Sequence, residues 1–243
     1  MKPFLHISVR DHDGAAEAEF LTLLALTGLP SDKLVQVRAE QAPLPLIDPD
    51  DFAGVIIGGG QFNASDEVKS ATQLRVETDL GHLVEASLAG GVPLLGLCYG
   101  LGVVTSHLGG VVDRRYGEGA GAVAVTLTEA GLADPLFEGL SPSFRAFTGH
   151  KEACSVLPEG AVVLASGTAC PVQAFRVGES VYVTQFHPEL DAERLIARMG
   201  IYADAGYFDP DDFDALSASA RAADVGDQPA LILANFVARF AQP

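Results

Sequence analysis

Gly96-Leu97-Cys98-Tyr99-Gly100 follows the apolar run Val92 to Leu97 and precedes residues that read as a helix. A cysteine between two glycines, at the junction of a strand and a helix, fits few architectures. Such an elbow holds a nucleophile on a strained turn, and the flanking glycines remove side chains that would clash. The thiol then sits at a helix N-terminus, where free N–H groups can meet a negative charge. A free cysteine without this setting is usually an inert core residue. The elbow therefore predicts a chemical role for Cys98.

The chain around it alternates in character. Phe4 to Val9 reads as a buried strand, and Ala16, Phe20, Leu23, Leu24 and Thr27 follow helical spacing up to Gly28. Leu34 to Val37 is a second strand, and Pro43, Pro45 and Pro49 mark a loop. Gly54 to Ile57 is a third strand, running into Gly58-Gly59-Gly60, and Val76, Leu80, Leu83, Val84 and Ser87 form the next helical stripe. Strand and helix in turn predict an α/β fold, doubly wound, with a mostly parallel sheet and helices on both faces. In the second half, Ala122 to Thr128, Ala161 to Ala165, Val172 to Val177 and Ser180 to Phe186 read as strands. The chain then reads as helical to its end. The expected organisation is one domain over residues 1–243 with an acidic helical extension from about 191 to 243.

Composition narrows the functions. With 48% hydrophobic residues among 243, a sizeable core can be buried. The formal net charge of −17 repels phosphate backbones and anionic lipid, which argues against nucleic acid and membrane partners. No apolar run is long enough for a membrane span, and the N-terminus lacks the pattern of a signal peptide. The three cysteines form no CxxC pair, so neither a structural zinc site nor a disulfide framework is expected, and the location expected is cytoplasmic.

Two further motifs complement the elbow. Gly58-Gly59-Gly60 closes a strand that such a sheet would bring to the same edge as Cys98. Its amides, with the N–H of Tyr99, could hold a developing oxyanion. Gln185-Phe186-His187-Pro188-Glu189 ends another strand. A cysteine nucleophile needs a histidine base, and the base needs a carboxylate to orient it. His187 and Glu189, two residues apart in extended chain, point the same way. Cys98, His187 and Glu189 are the predicted triad.

Together these motifs resemble the class I glutamine amidotransferases, specifically the glutaminase domain of GMP synthase and its free-standing relatives. Leu94-Leu95-Gly96-Leu97-Cys98-Tyr99-Gly100 is similar to that family's elbow, Gly149-His150-Lys151-Glu152 to its Ser-His-Gly-Asp-like loop, and Cys170-Pro171-Val172-Gln173-Ala174 to its Cys-Pro-x-x-Ala segment. The likeness covers roughly residues 50 to 190. It implies that Cys98 attacks a glutamine side-chain amide, forming a γ-glutamyl thioester. His187 would shuttle protons and Glu189 would fix the imidazole. Amides of Gly59, Gly60 and Tyr99 would hold the oxyanion, and Gly149 and His150 would lie near the bound glutamyl backbone. The implied partners are L-glutamine or another γ-glutamyl compound and a synthetase subunit that uses the ammonia. No cofactor and no metal are expected.

One position departs from the family. Four residues after the nucleophile it usually has Gln, and here stands Gly102. The missing amide removes a hydrogen bond worth about 1 kcal/mol and is expected to open space for a larger γ-glutamyl compound. A γ-glutamyl amide hydrolase, or a weakly catalytic binding homologue, is therefore an alternative to a glutaminase. Cys154 and Cys170 read as core thiols. The acidic run Asp209 to Asp214 lacks the glycine and terminal glutamate of a calcium loop and reads as a solvated face.

Overall fold

In this computed structural model, residues 1–48 and 50–241 are described; Pro49, one of the three loop prolines, lies outside them, as do the last two residues. The strands are β1 (Phe4–Val9), β2 (Leu34–Arg38), β3 (Gly54–Gly60), β4 (Leu94–Leu97), β5 (Val111–Asp113) and β6 (Glu118–Leu127). They continue as β7 (Ser143–His150), β8 (Ala153–Val156), β9 (Ala161–Gly167), β10 (Ala174–Val177) and β11 (Val181–Thr184). The helices are α1 (Asp13–Thr27), α2 (Ala71–Leu88), α3 (Tyr99–His107), α4 (Glu129–Ala133), α5 (Ala192–Ile201), α6 (Phe213–Ala222) and α7 (Leu231–Phe240).

Among the described residues, nine strands form one mixed sheet in the order β2-β1-β3-β4-β11-β10-β9-β6-β7. The first five pair in parallel, and β10, β9, β6 and β7 continue antiparallel. The doubly wound half is thus the half that carries the elbow. β1, β3 and β4 are buried along nearly their whole length, as strands covered on both faces must be. On one face Phe4, Leu23, Ile56, Leu95 and Phe236 form a core with α1 and α7. On the other, Ile57, Val76, Leu80, Leu94 and Val104 pack with α2 and α3. Each such side chain contributes roughly 1.5–3 kcal/mol by leaving water.

Local signals set the ends. Gly28 takes φ 67° and stops α1, a conformation that costs a residue with a Cβ. Asp191 caps α5 by accepting from Arg194 N at 2.8 Å. That cap starts α5 just after Glu189, so its first turns pass close to His187.

The predicted strands are present with edges shifted by a few residues, and β5, β7 and β8 come as additions. β7 escapes a pattern search because its inner end, Thr148-Gly149-His150, is polar in type although Thr148 and His150 are buried. It matters here because it delivers three residues to the edge where Cys98 opens.

Candidate active site

Cys98 joins β4 to α3 with φ 52° and ψ −92°. Positive φ at a non-glycine residue costs of order 1–3 kcal/mol and persists where surrounding structure imposes it. Cys98 N donates to Thr184 O at 2.7 Å, and Cys98 O accepts from Leu101 N at 3.0 Å, so both neighbours clamp the turn. The two elbow glycines are not equivalent. A Cβ on Gly96 would lie 3.0 Å from the Gly100 carbonyl carbon, whereas one on Gly100 would meet nothing nearer than 3.5 Å. Gly96→Ala should therefore destabilise the fold by about 1–3 kcal/mol, and Gly100→Ala by less. Urea unfolding of the two variants measures the difference.

His187 follows β11, and its N donates to Phe147 O of β7 at 2.9 Å. Its Nδ1 stands 2.7 Å from Glu189 Oε1. Glu189 is fully buried. Burial alone would raise its pKa, but His187 and Arg198 hold the carboxyl well below the usual carboxylate range. On His187, burial opposes the proton, yet Glu189 and then Cys98 outweigh it and raise the ring to about 9. A histidine fixed through Nδ1 presents Nε2 as its working nitrogen.

Arg198 on α5 is a partner that the motifs do not show. Its Nη1 donates to Glu189 Oε1 at 2.9 Å and lies 3.1 Å from His187 Nδ1. Behind it, fully buried Glu19 of α1 accepts from Arg10 Nε at 2.9 Å, meets His6 Nε2 at 3.2 Å and lies 3.8 Å from Arg198 Nη2. Burial would raise the Glu19 pKa; Arg10, His6 and Arg198 bring it down to about 2. The triad is thus seated on a buried ion network reaching from β1 and α1 to α5. A signal existed: Glu19 interrupts the apolar face of α1 between Ala15 and Leu23, and Arg198 lies beside Leu195 and Met199 on α5.

The triple glycine has a packing role. The absent side chains leave room at Gly58 for the Glu19 carboxylate, and at Gly59 for Arg10 and the His187 ring. A Cβ at Gly59 would come 2.9 Å from His187 Cε1. Gly60 and Tyr99 border the opening at Cys98, and the first N–H groups of a helix have no intrahelical acceptor. The Tyr99 hydroxyl donates to Glu77 Oε1 at 3.4 Å, which turns its side chain to structural use.

Two hollows meet at Cys98. One is bordered by Asn63, Tyr99, His150, Lys151, Glu152 and Gln185. The other contains His187 and Arg198. Gly149 borders both, and His150 borders the first. His150 is clamped between Glu152 O, 2.8 Å from Nδ1, and Glu118 Oε2, 3.0 Å from Nε2. Beneath it, Glu118, His150 and Cys170 bring potential ligand atoms within 4.8 Å of one another. Those atoms are already engaged: Gln173 Nε2 donates to Glu118 Oε2 at 2.7 Å, and the Cys170 thiol donates to Val172 O. Burial, reinforced by Glu118, pushes the Cys170 thiol up to about 12, which keeps it protonated.

At Gly102 the expected open space is absent. A Cβ there would lie 3.1 Å from Ala64 Cβ and 3.3 Å from Glu152 Oε1. The Glu152 carboxylate occupies the region, accepting from Ala64 N at 2.6 Å and Ser65 N at 2.8 Å. A longer side chain at position 102 would have to displace this carboxylate, which two backbone N–H groups pin in place.

The family described as Glutamine amidotransferase class-I matches residues 29–198. The chain belongs to that family. Among curated relatives, the glutamine-hydrolyzing GMP synthase of Streptomyces avermitilis is 38% identical over 101 residues, 41% of this chain and 19% of that protein. In Methanoculleus marisnigri, a separate subunit of the glutamine-hydrolyzing GMP synthase is 33% identical over 138 residues, 56% of this chain and 65% of that relative. This family member therefore spans about a fifth of the full-length synthase and just under two thirds of the separate subunit. In fold it is similar to a glutamine amidotransferase from Thermotoga maritima, with TM-score 0.75, 19% identity and coverage of 98% of this chain and 99% of the other. A second, from Methylobacillus flagellatus, has TM-score 0.75 and 21% identity, covering 100% and 97%. These neighbours have the flavodoxin-like doubly wound sheet expected from the sequence. Among the described residues no helix is long and apolar enough to cross a membrane.

Proposed function

We propose that this chain hydrolyses a γ-glutamyl amide through a covalent thioester on Cys98, with His187 and Glu189 completing the triad. One observation carries the reading. Cys98 is held at positive φ on the elbow, and the histidine beside it is locked to a buried carboxylate. Cys98 Sγ attacks the γ-carbonyl carbon while amides of Gly59, Gly60 and Tyr99 receive the oxyanion. His187 Nε2 delivers its proton to the departing nitrogen, and the C–N bond breaks. Water then attacks the thioester, giving its proton to His187, and glutamate leaves as Cys98 is restored. Glu189 keeps its proton-free form throughout and orients the ring.

Glutamine is the first substrate to consider, with released ammonia passing to a synthetase partner. The Methanoculleus relative, named as one subunit of a synthase, supports such a pairing. We read residues 1–243 as one amidotransferase domain whose part from residue 191 onward builds over the site. We place the protein in the cytoplasm, where its free cysteines would stay reduced. A γ-glutamyl amide larger than glutamine is the second reading, favoured by Gly102 standing where the family usually has Gln and by the hollow beside His187.

Glutamate release from L-glutamine and from a γ-glutamyl amide tests this directly. Wild-type protein should turn over at least one, and Cys98→Ala should reduce the rate by at least about a thousandfold. Turnover that survives Cys98→Ala would remove Cys98 from the mechanism.

A further inference from the structure

Only one of the two hollows at Cys98 contains His187, and its walls differ in kind from those of its neighbour. The polar hollow suits a glutamyl group, with its charged ammonium and carboxylate. The other is walled by Leu190, Leu195, Met199, Tyr202, Phe208 and Tyr207, the last of which also borders the polar hollow. The last four lie beyond residue 198, where the family match ends. They come from the end of α5 and the turn that follows it. Lys151 fastens that turn across the mouth, donating to Ala205 O and standing 4.5 Å from the Tyr207 ring centroid.

Resting on the hydrolase reading above, we propose that this second hollow binds the leaving side of the substrate, and that its ligand is a γ-glutamyl amide of a neutral, apolar amine, aromatic above all. Three observations support this. The departing nitrogen must lie where His187 can protonate it, and His187 borders this hollow alone. Ammonia from glutamine would leave the apolar walls unused, whereas a ring would cover them. The three cations of the hollow each face a carboxylate, Arg10 that of Glu19, and Arg198 and the His187 ring together that of Glu189. None of them is a cation standing free for the carboxylate of a γ-glutamyl amino acid. Thr148 adds a neutral acceptor. It is fully buried, borders the hollow, and its hydroxyl has no hydrogen-bond partner among the described residues. A secondary amide N–H would supply one.

In balance, the thiolate forms a bond to the γ-carbon and the C–N bond breaks. The amine leaves with the proton from His187. Water then divides the thioester into glutamate and free thiol, so one water is consumed per amide and no other reactant is needed.

The test separates the hollow from the chemistry. Calorimetry on Cys98→Ala protein, with Cys98→Ser in parallel, compares γ-glutamyl-p-nitroanilide, γ-glutamylglycine and L-glutamine. The anilide should bind at least about tenfold tighter than either of the others, as expected for burying one ring. In Phe208→Ala combined with Cys98→Ala, that advantage should fall about tenfold. Equal or weaker binding of the anilide, or an advantage untouched by Phe208→Ala, overturns the proposal whatever the wild type hydrolyses. Tight anilide binding in the variant without turnover by the wild type would instead support the hollow and sink the hydrolase reading.

Discussion

Glu189→Gln is expected to lower kcat by roughly a thousandfold or more while leaving substrate affinity within a few-fold of wild type. The carboxylate does two jobs in the site. It accepts from His187 at Nδ1, which selects the ring form that turns Nε2 toward the reaction. It also stabilises the imidazolium that forms as the thiol is activated. An amide keeps the shape and loses both, since its NH2 can face Nδ1 and its charge is gone. The variant also deprives Arg198 of its short ion pair, leaving Glu19 at 3.8 Å as the remaining carboxylate. The His187 proton affinity should fall from its raised value of about 9, because Glu189 is the largest influence holding it up. A pH–rate profile of wild type and variant would show that shift. An unchanged profile, or a rate within tenfold of wild type, would mean that Glu189 is not the orienting acid.

Glu19→Ala should have the largest effect on stability among substitutions outside the triad. Glu19 has no exposed side-chain surface, and Arg10 is nearly as deep. Removing the carboxylate leaves Arg10 buried without its counter-charge, which typically costs about 3–5 kcal/mol. In a chain of this size that is a drop in Tm of roughly 6–20 °C. Activity should fall as well, because Arg10 and Arg198 both border the hollow that holds His187. A double variant, Arg10→Met with Glu19→Leu, removes both charges together and should recover part of the stability. Equilibrium denaturation of the two proteins compares them. If Glu19→Ala alone unfolds within about 1 kcal/mol of wild type, near the usual scale of surface substitutions, the network is not a stabilising unit.

The same groups set the pH range of the fold. His187 is raised from 6.5 to about 9 in the folded protein, so its contribution is complete below pH 6.5 and is lost as pH rises toward 9. Glu19 is lowered from 4.5 to about 2, so its contribution is complete above pH 4.5 and is lost as pH falls toward 2. Stability should therefore peak between these limits. Repeating the denaturation series in Cys98→Ala should flatten the alkaline side, since Cys98 is one of the influences raising His187.

What the sequence revealed and what it hid follow from range. The elbow, the triple glycine and His187-Pro188-Glu189 are short motifs, each complete within a few residues, so their chemistry is legible before folding. The doubly wound sheet is legible for the same reason, because β1, β3 and β4 are short segments dominated by apolar residues and glycine. Arg10, Glu19 and Arg198 act together only because α1 and α5 approach the same strand edge. Glu19 and Arg198 each stand out on an otherwise apolar helix face, but nothing local names their partners. Glu152 and Ala64 fill the room at Gly102 from loops far away in sequence, which no local spacing reveals. The aromatic wall from Tyr202 to Phe208 lies in a stretch without motif or strong period. Its role comes from where α5 ends and from the Lys151 contact that fastens it.

The central claim is that catalysis passes through an acyl group on Cys98, and acid-quench mass spectrometry addresses it most directly. Wild-type protein mixed with a hydrolysed γ-glutamyl amide and quenched within a turnover should carry one γ-glutamyl group, located on the peptide that contains Cys98. Cys98→Ala should carry none. Substrate hydrolysed with no adduct on Cys98, or at an unchanged rate in Cys98→Ala, would contradict the account.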